Sequence, residues 1–355
     1  MGFISIHQVK PGDRLAQDVL TSRNHLLMNK GTTLTSREIE ILRAFLIAKV
    51  NLEGNADGSD QTDSLENEQM EPVVSALALY EEYNKLFVLL KRVFSMANSN
   101  ATLPVLEIRS HIEALLFHIS EYNLLFFRPP SYNPKEYMYH HSIRVAMTAY
   151  NLARWNGFER KDLIPIALAG LLHNIGNVRV DTDILNKTSS LTNKEFEEIR
   201  THTRRGYEIL KNVTGINEGV KLVALQHHER EDGSGYPLGL KGDSIHIYTK
   251  IVAIADIYHA MSSNRVYRNA VSPYLVLEEL LQYSFGKLDP RLVRTFIEKV
   301  TQLNNGTIVK LSDGRIGEIV FSEREHPTRP WVNVNGTIIH LSMNRSIHIQ
   351  EVIQY

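Results

Sequence analysis

The stretch Leu163–Leu172 (LIPIALAGLL) is apolar on nearly every side. A helix with no polar face must be surrounded by protein. This run ends in His173-Asn174, so two polar groups are carried to the edge of an apolar interior. Left unpaired, each would cost about 1–3 kcal/mol. The chain must therefore wrap this helix in others that supply partners. A hydrogen bond from a second helix is one solution, and a metal ion is another. Val252-Ala253-Ile254-Ala255 followed by Asp256 repeats the design, an apolar run that delivers one carboxylate.

Around this centre the chain reads as five parts. Residues 1–50 alternate short apolar runs with turns at Pro11-Gly12-Asp13 and Lys30-Gly31, and Thr35 or Ser36 opens a helix whose apolar face runs from Ile39 to Leu46. A small N-terminal β/α domain is expected. Residues 51–72 are acidic and poor in apolar side chains, which predicts a flexible linker. Residues 73–128 show helical spacing, broken at Asn98-Ser99-Asn100. These two helices form a connector that packs within the chain, with pairing of two subunits as the alternative. Residues 129–300 are almost continuously helical. Residues 301–355 change period: Thr307–Leu311, Gly317–Phe321, Trp331–Val334 and Thr337–Ile339 read as strands, with Asn335-Gly336 as a hairpin turn. A small β-barrel-like domain is expected there. The predicted class is mainly α, an all-helical domain flanked by a small α/β domain and a small β domain.

Composition narrows the chemistry. Of 355 residues, 39 are Lys or Arg and 40 are Asp or Glu, a net charge of −1. That balance argues against duplex nucleic acid as the main partner. There is no cysteine, which removes disulfides, thiolate metal sites and cysteine nucleophiles. No apolar run reaches the roughly 18 residues needed to cross a bilayer, and residues 1–10 do not read as a signal peptide. The expectation is a cytoplasmic protein.

The chain has 15 histidines. A lone histidine on a helix is more often a surface or core residue than a ligand, so the argument is cumulative. His140-His141, His173-Asn174, His202, His227-His228 and Asp256 fall within one helical region. Neutral imidazoles and carboxylates are the natural ligands of Fe, Mn, Ni or Zn where thiolates are absent. His227-His228-Glu229 leads into Asp232-Gly233-Ser234-Gly235-Tyr236-Pro237, where two glycines permit a tight loop and Pro237 fixes its exit.

These motifs resemble the HD-GYP domains, metal-dependent phosphodiesterases of the HD superfamily that open the bacterial second messenger cyclic di-GMP. The resemblance covers about residues 131–300. It runs through His141–Ala146, Leu171–Gly176, Ile184–Lys187, His202 with Gly206, His227–Glu229, Asp232–Pro237, Gly239–Gly242, Ile254–Asp256 and Asn264–Arg268. Carried over position by position, it implies metal ligands at His141, His173, Asn174, His202, His227, His228 and Asp256. It implies phosphate binding by Arg265 and Arg268, whose forked guanidinium suits phosphate oxygens, and a pocket or architectural role for Tyr236. The reaction implied is hydrolysis of a cyclic dinucleotide, with Asn174, Asn177 and Asp256 in the catalytic positions.

The chain departs from the family pattern in four places. His-Asn replaces His-Asp at 173–174, and Asn177 stands where the family has a lysine. Tyr137 occupies the place of a glutamate that holds a third metal in some members, and His259 replaces a second aspartate. Two divalent ions about 3.5–4 Å apart repel by roughly 18 kcal/mol gross at an effective dielectric of about 20. A bridging carboxylate offsets much of this; an amide does not. One well-held ion is expected, with any second ion weak. The missing lysine removes a cation where charge develops. The expected function is thus a slow cyclic di-GMP phosphodiesterase. The alternative is a catalytically silent module that binds a cyclic dinucleotide or a metal and signals to a partner protein.

Overall fold

The computed structural model describes residues 3–6, 9–20, 26–35, 38–39, 42, 47, 49–53, 66–129, 133, 136–263, 270–301, 306–323 and 325–353, with 66–76 described by backbone alone. The chain divides into two compact units, 1–69 and 70–354.

The first unit is built from two antiparallel ribbons. β1 (Phe3–Ser5) pairs with β4 (Lys49–Asn51), and β2 (Val19–Leu20) with β3 (Leu26–Met28). Leu15, Leu34, Leu42 and Val50 fill a small core. Of the helix expected at 35–46, Glu38, Ile39 and Leu42 are helical, and most of the remainder lies outside the described residues.

Helix α1 (Glu66–Asn98), 33 residues long, begins in the last residues of the first unit and continues through the start of the second. This corrects the predicted linker: residues 66–72 are helical. The apolar positions from Leu79 onward share a core with the rest of the unit, and a helix seated on such a core extends N-terminally more readily than composition suggests. The break at Asn98-Ser99-Asn100 is a turn with Asn100 at φ 56°, followed by α2 (Val105–Phe117). Both helices pack within the chain.

The helical domain follows as α3 (Tyr137–Trp155), α4 (Arg160–Leu172), α5 (Thr182–Leu185), α6 (Asn193–Arg200), α7 (His202–Leu210), α8 (Glu218–Gln226), α9 (Ile247–Met261), α10 (Pro273–Tyr283) and α11 (Pro290–Thr301). As its sequence demands, α4 is central. Ile166, Ala167, Leu171 and Leu172 are fully or almost fully buried against α3 and α9. A 3₁₀ turn (Ile175–Arg179) carries the chain out of α4. Gly176 in that turn touches the backbone of α7: a Cβ there would lie 1.9 Å from the His202 carbonyl oxygen. Only glycine permits this approach.

The unit ends in an antiparallel sheet of β5 (Ile308–Leu311), β6 (Ile316–Phe321), β7 (Trp331–Val334), β8 (Thr337–His340) and β9 (Ile349–Ile353), ordered β8-β7-β6-β5-β9. Asn335 and Gly336 both adopt positive φ in the β7–β8 hairpin. Among the described residues no ladder joins β8 to β9, so the sheet is open where a barrel-like closure was expected. One face covers a core of Val309, Leu311, Ile319 and Val332 with Tyr274 of α10. A sheet covered in this way has no need to close on itself.

Candidate metal centre

Six of the expected ligands converge from five chain segments. His141 lies early in α3, and His173 directly follows α4. His202 opens α7, His227 and His228 follow α8, and Asp256 sits inside α9. His173 and Asp256 are delivered by apolar runs that burial fixes in place. The donor atoms form two groups, His141/His173/Asp256 and His202/His227/His228, and within each group they lie within 4.8 Å of one another.

The hydrogen bonds set the ring tautomers. Nδ1 of His173 donates to the Gly170 carbonyl at 2.7 Å, Nδ1 of His202 to Ile199 at 2.6 Å, and Nδ1 of His227 to Val223 at 3.0 Å. A carbonyl only accepts, so in each neutral ring the proton is on Nδ1 and Nε2 carries a lone pair. Nε2 of His202 and of His227 then face each other at 3.1 Å with no proton between them. Two buried lone pairs so placed are repulsive until a cation joins them. Anchoring Nδ1 on the backbone is also how metal-binding imidazoles are held in orientation. The donor set therefore fits a divalent metal.

Charges agree with this arrangement. Burial holds His202 down to about 4, and burial together with neighbouring imidazoles keeps His227 and His228 well below the ordinary histidine value. All three are neutral near pH 7, as ligands must be. Burial works to raise Asp256, but the hydrogen bond from His141 at 2.9 Å and the proximity of the His173 imidazole at 3.8 Å outweigh it and hold the carboxyl well below its usual range. The Tyr137 hydroxyl hydrogen-bonds Nδ1 of His141 at 3.1 Å, and its ring stacks on the imidazole at 5.3 Å. Tyr137 thus braces a histidine at the position where some family members place a third-metal ligand.

Asn174 is beside the centre: its side-chain amide nitrogen donates to Nε2 of His173 at 2.7 Å. The amide occupies the lone pair that a metal would take. Asn177 lies in the 3₁₀ turn, where its N–H bonds the Asn174 carbonyl, and both side chains line a cleft of about 1030 Å³ that opens on the centre. Tyr236 is packed on both faces, against His228 at 4.7 Å and under the Arg200 guanidinium at 4.4 Å. Arg265 and Arg268 lie outside the described residues.

Two histidines of the original pattern face elsewhere. His140 bonds Tyr83 at 2.9 Å and stacks on Phe87 at 4.4 Å, packing α3 onto α1. His259 bonds Thr148 at 2.7 Å inside the helical core. The residues that sequence reasoning missed are Arg200, Arg230 and Glu229. Arg230 lines the cleft. Glu229 is 2% exposed, and its carboxylate accepts from the N–H groups of Leu238 at 2.7 Å and Leu240 at 3.0 Å, stapling the loop that carries Tyr236. The signal for Glu229 was present, an acid directly before a glycine-rich loop.

Comparison with known proteins agrees with this geometry. Residues 126–292 match the HD domain family. The chain therefore carries an HD domain. It is 34% identical over 199 residues to the cyclic di-GMP phosphodiesterase PA4108 of Pseudomonas aeruginosa, covering 56% of this chain and 48% of the relative. It is 34% identical over 159 residues to 3'3'-cGAMP-specific phosphodiesterase 2 of Vibrio cholerae, covering 44% and 30%. The chain thus spans about half, or less, of these relatives' lengths. Among solved structures, Bd1817, an HDG"Y"P protein from Bdellovibrio bacteriovorus, superposes with a TM-score of 0.52 at 13% identity, over 83% of this chain and 97% of that one, a likeness of fold. No helix among the described residues is long and apolar enough to cross a membrane.

Proposed function

We propose that this chain is a metal-dependent phosphodiesterase that opens cyclic di-GMP slowly. The observation that carries the reading is the set of buried imidazoles whose Nδ1 atoms are committed to backbone carbonyls while their Nε2 atoms fall into two close donor groups, one of which includes Asp256. The names of the relatives support a cyclic dinucleotide as substrate. His141, His173 and Asp256 would hold the better-bound ion, because that group includes a carboxylate. His202, His227 and His228 would hold a weaker one, because Asn174 brings an amide rather than a shared carboxylate. A bound divalent ion supplies Lewis-acid activation of water and of a phosphoryl oxygen. The protein's own contribution is positional. Arg230 and Lys287 line the cleft and offer cations to phosphate oxygens, and Arg265 and Arg268 would add to them. Tyr236 holds His228 from one side, and Glu229 holds the Tyr236 loop from beneath.

A second reading is a module that binds without turnover. It is favoured by Asn177 in place of the lysine and by the amide on the His173 lone pair. One experiment separates the two. Metal content and cyclic di-GMP turnover are measured on the wild type and on Asn174→Asp. Slow, chelator-sensitive release of linear dinucleotide is expected, with a gain of about 10-fold or more in the variant, the scale of changes beside a metal. Intact cyclic di-GMP after hours with metal-loaded wild type would overturn the enzyme reading.

A further inference from the structure

The cleft holds a carboxylate that the metal centre does not use. Glu279 of α10 is half-buried in the cleft wall, and no described residue gives it a hydrogen bond or ion pair. Its neighbour Glu278 is committed elsewhere, to Arg329 at 2.5 Å. The other carboxylate in the wall, Asp256, is taken by His141. A cyclic dinucleotide carries two phosphate charges, so a free carboxylate in its binding cleft is repulsive unless the ligand brings donors to it. One turn along the same helix, Tyr283 presents its ring to the same cleft, with the Lys287 ammonium 5.1 Å from the ring centroid.

An acid and an aromatic ring at i and i+4 on one helix face suit a particular base. A carboxylate has two acceptor oxygens and no donor. The Watson–Crick edge of guanine offers two adjacent donors, N1–H and the N2 amino group. Adenine offers a lone pair at N1, which a carboxylate repels. Tyr283 supplies a surface on which a base can stack, and stacking of this kind is tolerant of base identity. We propose that Glu279 and Tyr283 form the guanine-reading edge of this cleft. This inference rests on the cyclic-dinucleotide reading above and adds the residue that selects the base.

The test is calorimetric binding of cyclic di-GMP and of cyclic di-AMP to the full chain loaded with metal. Wild type, Glu279→Gln and Tyr283→Leu are compared, with hydrolysis of bis(p-nitrophenyl) phosphate followed in parallel. Wild type binds cyclic di-GMP at least about 10-fold tighter than cyclic di-AMP, and Glu279→Gln lowers the cyclic di-GMP affinity about 10- to 100-fold, the scale of a lost bidentate base contact. The variant does not weaken cyclic di-AMP binding or baseless diester hydrolysis, since neither anion brings donors to the carboxylate. Tyr283→Leu weakens both dinucleotides alike. Equal wild-type affinity for the two ligands, an unaltered cyclic di-GMP affinity in Glu279→Gln, or binding of neither dinucleotide overturns the proposal. Tight, guanine-selective binding with no diester cleaved overturns the enzyme reading alone and leaves the guanine edge standing.

Discussion

Replacing Gly176 with alanine tests whether the metal centre depends on one backbone contact. A Cβ at this position would lie 1.9 Å from the His202 carbonyl oxygen, 2.5 Å from the Gly206 nitrogen and 2.9 Å from the His202 carbonyl carbon. All three are backbone atoms, so no rotamer change relieves them. Cβ contacts closer than 3.0 Å are essentially never seen, so about 1.1 Å must open between the 3₁₀ turn and α7. His202 is the first residue of α7 and moves with it. Metal–nitrogen distances tolerate about 0.2 Å, so a shift several times larger takes His202 out of its group. The expected loss in zinc affinity is about 10- to 100-fold, with a fall in stability of about 1–3 kcal/mol from overpacking. Calorimetric zinc titration of metal-free protein reads the first, and urea unfolding reads the second. A variant that binds zinc as wild type does would refute the claim that this contact sets His202.

Two further outcomes follow from buried groups. Burial keeps His202 at about 4 in the folded protein, while an unfolded histidine titrates near 6.5. Between those values the unfolded chain binds more protons, so the stabilising contribution is complete above pH 6.5 and is lost as pH falls toward 4. His202 alone accounts for on the order of 3 kcal/mol across that window, and His227 and His228 shift in the same direction. Urea unfolding of metal-free protein at about pH 7.5 and about pH 4.5 checks this, and equal stability at both would contradict it. Glu229→Ala removes two charge-assisted acceptors from the Tyr236 loop. A loss of about 3 kcal/mol is expected, with faster proteolysis within 232–241, and an equally resistant loop would count against the stapling role.

Part of the histidine cluster was legible in the sequence because His173 ends an apolar run and Asp256 interrupts one. A buried helix can afford a polar residue only where something satisfies it, and that rule marks His173 and Asp256. It says less about direction. His140 and His141 are about 100° apart on one helix, so one reaches the centre while the other packs on α1. His227 and His228 both reach the centre because α8 has ended and the backbone turns beneath them. The helical start at residue 66 was hidden because the segment's composition is that of a linker. The roles of Arg200 and Glu279 were illegible for another reason. Each is an ordinary charged residue on a helix, and what it faces is decided by segments distant in sequence. Strand β9 and the open sheet belong to the same class.

The separation of the ligands has a consequence for how the protein matures. His141 and Asp256 are 115 residues apart in the chain yet 2.9 Å apart in the fold. A nascent polypeptide emerging from the ribosome presents its first histidines well before the acid that completes their group. Uptake of an ion would then be a late step, open only after several helices have docked. An ion held there would tie remote segments together in a chain that has no cysteine for cross-links, and its binding energy would add directly to the stability of the folded form.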